Sequence, residues 1–115
     1  MQIDESIRKT FSEFLVAHVP LLSRHIDPAN RPNFCYGFGV GNSHFRAVFS
    51  KSEINNGFNL VFEETAYDVH PIHVSCALAK NGELVLITAK NTTPEYVEKI
   101  FETFMGVVLH SRVLL

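Results

Sequence analysis

The feature that most constrains this chain is an alternation of aromatic with small or polar residues that begins at Phe34. A period of two is typical of a strand with one buried face, because successive side chains of a strand point to opposite sides. Three such segments follow one another, which predicts three half-buried strands. Their buried positions are Phe34, Tyr36, Phe38 and Val40 in the first, Phe45, Ala47 and Phe49 in the second, and Phe58, Leu60 and Phe62 in the third.

The connections between these segments predict how the strands pair. Gly41-Asn42 is suited to a two-residue hairpin turn, and the longer connection 51–56 is suited to a second hairpin. Both hairpins put every ring on one face, and this agreement indicates an antiparallel sheet with an aromatic face. The expected cross-strand pairs are Phe38–Phe45 and Phe34–Phe49 in the first hairpin, and Phe49–Phe58 and Phe45–Phe62 in the second.

A further hairpin is predicted around Asn81-Gly82, the strongest two-residue turn signal in the chain. It joins a strand over 72–80 to one over 83–89. The expected pairs are Lys80–Glu83, Leu78–Val85 and Cys76–Ile87, with the apolar pairs on the aromatic face. The opposite face is then expected to carry Ser75, Ala77, Ala79, Leu84, Leu86 and Thr88.

Helical periodicity marks both ends of the chain. Apolar residues recur with a helical period over 3–19, and Pro20 is expected to end or kink this helix near Ala17 or His18. A further turn with Leu21, Leu22 and Ile26 is the alternative to an end at this point. Thr93 before Pro94 predicts the cap of a second helix, which extends to about Leu109. The resulting fold class is α+β: a five-stranded antiparallel sheet with the N-terminal and C-terminal helices packed on one face. The length of 115 residues predicts one domain over 1–115.

Composition and charge exclude several classes of function. Ten Lys and Arg against twelve Asp and Glu give a formal net charge of -2, and the cations are scattered, so we expect no nucleic-acid partner. No apolar run reaches the length of a membrane span, so no membrane partner is expected. Two cysteines, Cys35 and Cys76, with no signal-peptide pattern predict a reduced, cytoplasmic protein.

One spacing resembles a metal site. His70-x-x-His73-x-x-Cys76 supplies residue types that bind zinc. In an extended chain, however, His73 points away from His70 and Cys76, so one strand cannot present all three to a single ion. We therefore expect no metal and no cofactor.

The face opposite the helices holds the candidate ligand-binding residues. The expected register places His44 across from Glu63 and Arg46 across from Val61, while Gly37 and Gly39 leave the neighbouring strand bare. A histidine beside a carboxylate can act as a general base, and an arginine can hold an anion. The alternative is an exposed cross-strand pair of little consequence. The candidate ligand-binding residues are His44, Arg46, Glu63, His73 and Ser75.

The segments 78–88 and 93–104 resemble the closing hairpin and helix of the type III secretion chaperone-like fold. The helix and three strands that precede them also follow the order of that family. The family has a helix between its third and fourth strands, where this chain offers only Thr65 to Pro71. The resemblance implies a dimer that binds partner proteins, with no catalytic residues to carry over.

Two functions of different class follow. The first is a non-catalytic protein-binding module, a homodimer of the chaperone, adaptor or immunity kind. The second is a small-molecule-binding protein or small enzyme with a site near His44, Arg46, Glu63 and His73. Exposed apolar patches are typical of interfaces, and symmetric pairing is the commonest way to cover one. For the homodimeric protein-binding module, the residues expected at the interface are Ala77, Leu84, Leu86, Leu114 and Leu115.

Overall fold

The computed structural model of the chain describes residues 1–65 and 70–112. The predicted interface residues Leu114 and Leu115 lie outside the described residues. A helical turn, Ser23–His25, follows the first of two helices. The elements, in chain order, are α1 (Glu5–Leu22), β1 (Asn33–Val40), β2 (Ser43–Lys51), β3 (Phe58–Glu64), β4 (His73–Leu78), β5 (Leu84–Lys90) and α2 (Pro94–Leu109).

The five strands form one antiparallel sheet in the order β1-β2-β3-β4-β5. Aromatic rings of both helices contact the same side of this sheet, which we call the inner face: Phe11 lies 6.4 Å from Phe62, and Phe104 lies 5.1 Å from Phe62, between ring centroids. The predicted α+β class, with an antiparallel sheet and terminal helices on one side, is confirmed.

The core lies between the helices and the inner face. At its centre the rings of Phe11 in α1 and Phe101 in α2 stack at 4.1 Å, and Phe62 beneath them is fully buried. Every ring that the alternation assigned to one face is on the inner face, although Phe34 and Tyr36 on β1 are only half-buried. Truncating a fully buried ring such as Phe62 to alanine is expected to cost about 3–5 kcal/mol.

Helix α1 passes through Pro20 and ends at Leu22. Asp4 caps it by accepting hydrogen bonds from the backbone N–H groups of Ser6 and Ile7. The helix then continues through Pro20 to Leu22, so it does not end near Ala17 or His18, and Leu21 and Leu22 belong to the alternative further turn. The proline removes a hydrogen bond only to the carbonyl of Val16, and Val16 is exposed, whereas Val19 and Leu22 are buried on either side of Pro20. Burial of these two residues favours continuation.

The first hairpin has the predicted register. Phe38 pairs with Phe45 and Phe34 with Phe49, around a two-residue connection at Gly41-Asn42. Gly41 has a φ of 59°, and a glycine with positive φ at the first of two turn positions is typical of a type II′ turn.

The second hairpin is shifted by two residues from the predicted register. Phe49 pairs with Leu60 instead of Phe58, and the predicted Phe45–Phe62 pair is replaced by Ala47–Phe62. The shift arises in the loop, where the Ser52 N–H donates to the carbonyl of Gly57 at 2.9 Å. A shift of two residues preserves the face of every side chain, so the aromatic face survives the error.

The third hairpin also differs from its prediction. The Gly82 N–H donates to the carbonyl of Ala79 at 2.9 Å, and Gly82 has a φ of 95°, so the connection is a three-residue loop. Cys76 still pairs with Ile87 as expected, but Leu78 pairs with Leu84 instead of Val85, with a register shift beside Ala77 and Leu78. The expected pairs Lys80–Glu83 and Leu78–Val85 are therefore wrong. The extra residue is Val85, which forms a β-bulge.

Candidate functional site

The side of the sheet opposite the helices, which we call the outer face, is where the candidate residues lie. Because strand partners share a row across the sheet, the register fixes the neighbours of each residue. The central row is Cys35–Val48–Val61–Ser75–Thr88, and the rows on either side are Asn33–Ser50–Asn59–Ala77–Leu86 and Gly37–Arg46–Glu63–His73–Lys90.

Three of the predicted ligand-binding residues lie in one row. Arg46 pairs with Glu63, and Glu63 pairs with His73 on the next strand. The Arg46 Nη2 donates to Glu63 Oε2 at 2.7 Å, and their side chains are 53% and 36% exposed. This hydrogen bond, with the negative charge of Glu63, raises the pKa of Arg46. The guanidinium is therefore a permanent cation already held by a carboxylate.

His44 and Ser75 lie in other rows. The strand partner of His44 is Gly39, and its backbone carbonyl accepts hydrogen bonds from the N–H and hydroxyl of Thr65 at 2.9 and 3.2 Å. The predicted His44–Glu63 and Arg46–Val61 pairs are therefore wrong, because the β2–β3 register is shifted by two residues. Ser75 pairs with Val61, beside the polar row. Because of this shift, the carboxylate of Glu63 does not lie across from His44, where it could orient the imidazole as a base.

Gly37 and Gly39 leave an open hollow on the outer face of β1, which we call the glycine hollow. Its volume is about 520 Å³, and Arg46, His44 and Thr65 lie along its side. The thiol of Cys35 is exposed at the same place. The hollow presents a cation, Arg46, and a histidine, His44, to a ligand. A small-molecule site encloses most of its ligand, whereas the side chains of this hollow are exposed to water.

An apolar corner lies at the other side of the outer face. Val85 and Leu86 are adjacent on β5 and 55% and 57% exposed, and Ala77 pairs with Leu86. Leu84, by contrast, is only 6% exposed and belongs to the core. Its predicted position on the outer face is wrong, because the bulge at Val85 reverses the alternation at the start of β5.

The residues with metal-binding chemistry are separated by the sheet. His73 is on the outer face, whereas Cys76 is fully buried on the inner face, so the spacing His70-x-x-His73-x-x-Cys76 does not converge. Burial raises the pKa of the Cys76 thiol to about 12, which keeps it protonated. Within residues 1–65 and 70–112, no group of three or more His, Cys, Asp and Glu side chains is placed to hold a metal ion.

The two edges of the sheet differ. At the β5 edge, α1 binds the backbone: the Leu84 N–H donates to Ser12 Oγ at 3.0 Å, and Arg8 Nη2 donates to the carbonyl of Val85 at 3.1 Å. At the β1 edge, β1 pairs with β2, and no other strand of the described residues pairs with it. Sequence reasoning missed both contacts of α1, because Ser12 and Arg8 carry no local signal for a partner more than seventy residues away.

A second open groove, of about 540 Å³, runs between α1 and the start of β5. Arg8 and Ser12, which line it, are the side chains that bind the β5 backbone. Its remaining polar lining has mixed charge, with Glu5, Lys9, Glu13 and Glu83. Because Arg8 donates to the β5 backbone and Ser12 accepts from it, the side chains of this groove support the sheet edge.

Comparison of the chain with protein-family models, with curated proteins and with solved structures finds no match in any of the three. Among the described residues, neither helix combines the length and apolar composition that crossing a membrane requires.

Proposed function

We propose that the protein is a non-catalytic protein-binding module, a homodimer of the chaperone, adaptor or immunity kind, that holds a partner polypeptide against the outer face of its sheet. The observation that carries this proposal is the pair Val85 and Leu86, adjacent and both more than half exposed, at the corner of a sheet face that α1 and α2 do not cover. Exposed apolar groups rimmed by polar ones are typical of interaction surfaces.

The shape of the outer face supports a polypeptide partner. Its central row consists of small side chains around the half-buried pair Val48 and Val61. Gly37 lowers the surface in the next row, and Gly39 lowers it beside His44. A flat, low surface of this kind suits a partner that covers a wide area, whereas a small molecule is held in a concave site that buries most of it.

A second candidate function is binding of a small anionic ligand in the glycine hollow. Arg46 and His44 beside the hollow favour it. The engagement of Arg46 by Glu63 at 2.7 Å works against it, because an incoming anion has to compete with a carboxylate already in place. We therefore place the protein partner first.

The free thiols bear on where the protein works. Cys35 is exposed and Cys76 is buried, and neither is in a disulfide. An exposed free thiol is stable in a reducing compartment, so our proposal places the protein in the cytoplasm.

Site-specific photo-crosslinking in cells tests the proposal. A benzophenone side chain replaces Val61 on the outer face or, as the control, the exposed Glu102 on α2. The expected result is an adduct with a partner protein from Val61 and none from Glu102. Equal adducts from both positions, or adducts from Glu102 alone, would contradict a partner on the outer face.

A matched pair of substitutions sharpens the test. Leu86 on β5 and Leu109 in α2 are 57% and 54% exposed, so a charge at either position disturbs folding to a similar small extent. Leu86→Asp is expected to abolish the Val61 adduct, and Leu109→Asp is expected to leave it unchanged. An adduct that survives Leu86→Asp would remove the apolar corner from the proposed surface.

A further inference from the structure

We propose that the free edge of β1 pairs with β1 of a second copy, antiparallel and about a two-fold axis normal to the sheet. Two five-stranded sheets then form one continuous sheet of ten strands. This inference rests on the proposed function, since it names the surface through which the homodimer forms. It also leaves the outer faces of both copies on the same side, free for a partner.

The first support is the contrast between the two edges. The β5 edge is closed where the strand begins, by Ser12 and Arg8, which bind the backbone of Leu84 and Val85, and by the bulge beside them. Bulges, charged side chains and covering elements are the usual means by which a protein prevents an edge from pairing with another chain. One edge of this sheet is therefore protected against strand addition.

In the part of the chain that the structure describes, the β1 edge has no bulge, no charged side chain and no further strand paired to it. Its sequence, Asn33–Val40, contains no charged residue and no proline. Its pairing with β2 is regular over eight residues, with no register shift. A long, regular and uncharged edge is a template for another strand.

The backbone groups that face outward can be identified from the hairpin. In an antiparallel pair, residues that exchange both hydrogen bonds alternate with residues that exchange none. The two-residue turn makes Val40 and Ser43 a bonded pair, so the even-numbered residues of β1 bond to β2. The N–H and C=O groups that point away from β2, in the plane of the sheet, then belong to Asn33, Cys35, Gly37 and Gly39. All four residues are exposed. We call these the outward backbone groups.

The sequence of this edge fits a second copy of itself. For side chains to stay on their own faces, odd-numbered residues must meet odd-numbered residues. Among the registers that satisfy this condition, the two with the greatest overlap of the strands Asn33–Val40 have the axis at Tyr36 or at Gly37. In both registers every pair with outward backbone groups contains a glycine: Cys35 meets Gly37 and Asn33 meets Gly39 in the first, and Gly37 meets Gly37 and Cys35 meets Gly39 in the second. In these pairs no bulky or charged side chain opposes another.

The inner face points to the same partner. Phe34 and Tyr36 are the ring-bearing positions of the inner face that are left half-exposed, and both are on β1. In the two registers Tyr36 meets either Tyr36 or Phe38 of the second copy. Aromatic pairs at cross-strand positions stabilise a sheet, so the second copy covers the rings that the first leaves exposed.

Size-exclusion chromatography with light scattering, over a range of concentrations, tests the inference. The wild-type chain is expected to have twice the monomer mass, and Gly37→Pro is expected to be monomeric. Proline at Gly37 removes an outward N–H and spares the ladder to β2, so the melt is expected to stay cooperative. A wild-type chain that is monomeric throughout would overturn the inference, and so would a folded Gly37→Pro dimer.

Two further pairs of variants locate the interface even if Gly37→Pro fails to fold. Cys35 and Thr88 are exposed at opposite ends of one row, on β1 and β5. Cys35→Lys is expected to weaken the dimer, and Thr88→Lys is expected to leave it intact. Under oxidation, Gly37→Cys or Gly39→Cys is expected to give an intermolecular disulfide to Cys35, and Ser75→Cys is expected to give none. The opposite result in either pair would overturn the β1 interface.

Failure of this inference is distinguishable from failure of the proposed function. If β1 does not pair, the photo-adduct from Val61 to a partner protein is still formed. If the outer face binds no partner, that adduct is lost while the dimer remains sensitive to Gly37→Pro.

Discussion

Leu84 and Leu86 face opposite sides of the sheet although they are two residues apart in one strand. Leu84 is 6% exposed, on the inner face, and Leu86 is 57% exposed, on the outer face. In a regular strand two such residues share a face, and the extra residue Val85 is what separates them here. The bulge therefore decides which leucine stabilises the core and which is available to a partner.

The two leucines are expected to differ in their contribution to stability. Leu84→Ala should lower the free energy of unfolding by about 2–5 kcal/mol, because it removes buried methyl groups and leaves a cavity. Leu86→Ala should change it by less than about 0.5 kcal/mol, as is usual for an exposed side chain. Urea denaturation of both variants measures the difference, and equal losses would mean that the bulge does not exist in solution.

The glycine at the start of β3 is expected to be irreplaceable. A Cβ at Gly57 would lie 2.0 Å from the carbonyl oxygen of Leu78, so one of the two backbones must move. Gly57→Ala should cost about 3 kcal/mol or more, which is severe for overpacking by one methyl group.

Gly41→Ala is the control for Gly57→Ala. Nothing lies within 4 Å of a Cβ at Gly41, so only its φ of 59° opposes alanine. The expected cost is about 1–2 kcal/mol. Thermal or chemical unfolding gives both values, and a larger loss from Gly41→Ala would contradict the close contact at Leu78.

Gly106→Ala is expected to stabilise the protein. Gly106 lies inside α2, and a Cβ there meets nothing within 4 Å. Alanine in a helix interior is more favourable than glycine by roughly 0.5–1 kcal/mol. A rise of that size in the free energy of unfolding would support an unobstructed position, and a loss would show that another surface occupies the space.

The buried thiol of Cys76 is expected to make stability fall at high pH. Burial raises its pKa from the ordinary 9.0 to about 12, so the folded chain keeps a proton that the unfolded chain loses in this interval. Above pH 9 the unfolded state is therefore favoured progressively, by up to about 1.4 kcal/mol per pH unit, until the pH reaches about 12. Denaturation midpoints measured across this interval should fall less steeply for Cys76→Ala than for the wild type.

Cys35→Ala controls for general effects of alkaline pH. Cys35→Ala removes a thiol that is exposed, so it is the matched control for Cys76→Ala, which removes a buried one. If Cys76→Ala and the wild type lose stability in parallel, the thiol is not protected from solvent as the structure indicates.

The predicted faces of the sheet were more reliable than the predicted registers. Alternation alone determines the face of Phe62, since Phe58, Leu60 and Phe62 alternate with Asn59, Val61 and Glu63 and the inner side of the sheet is buried. Its partner depends on the loop before it, where Ser52 and Gly57 close the turn two residues from the expected place. The composition of this loop does not determine where it closes, so the pairing of Phe62 with Ala47 was not predictable.

The candidate site shows the same division. The sequence correctly put Arg46, Glu63 and His73 on one face, because parity is a local property. It paired Glu63 with the wrong residue, because the pairing depends on where the loop between β2 and β3 closes. It placed Leu84 outside the core, because the face of Leu84 depends on the bulge at Val85. The contact of Arg8 with Val85 had no local signal at all, since it arises only when α1 is packed against the completed sheet.

The hydrogen bonds from α1 to the β5 backbone also limit how far the sheet can grow. Polymerisation into fibrils requires two adhesive edges on every molecule, one for the chain before it and one for the chain after it. Ser12 and Arg8 form hydrogen bonds with the backbone of Leu84 and Val85, so these backbone groups of the β5 edge cannot pair with another strand. In the dimer that we propose, the two β1 edges are joined to each other, so neither would be left open to a third chain.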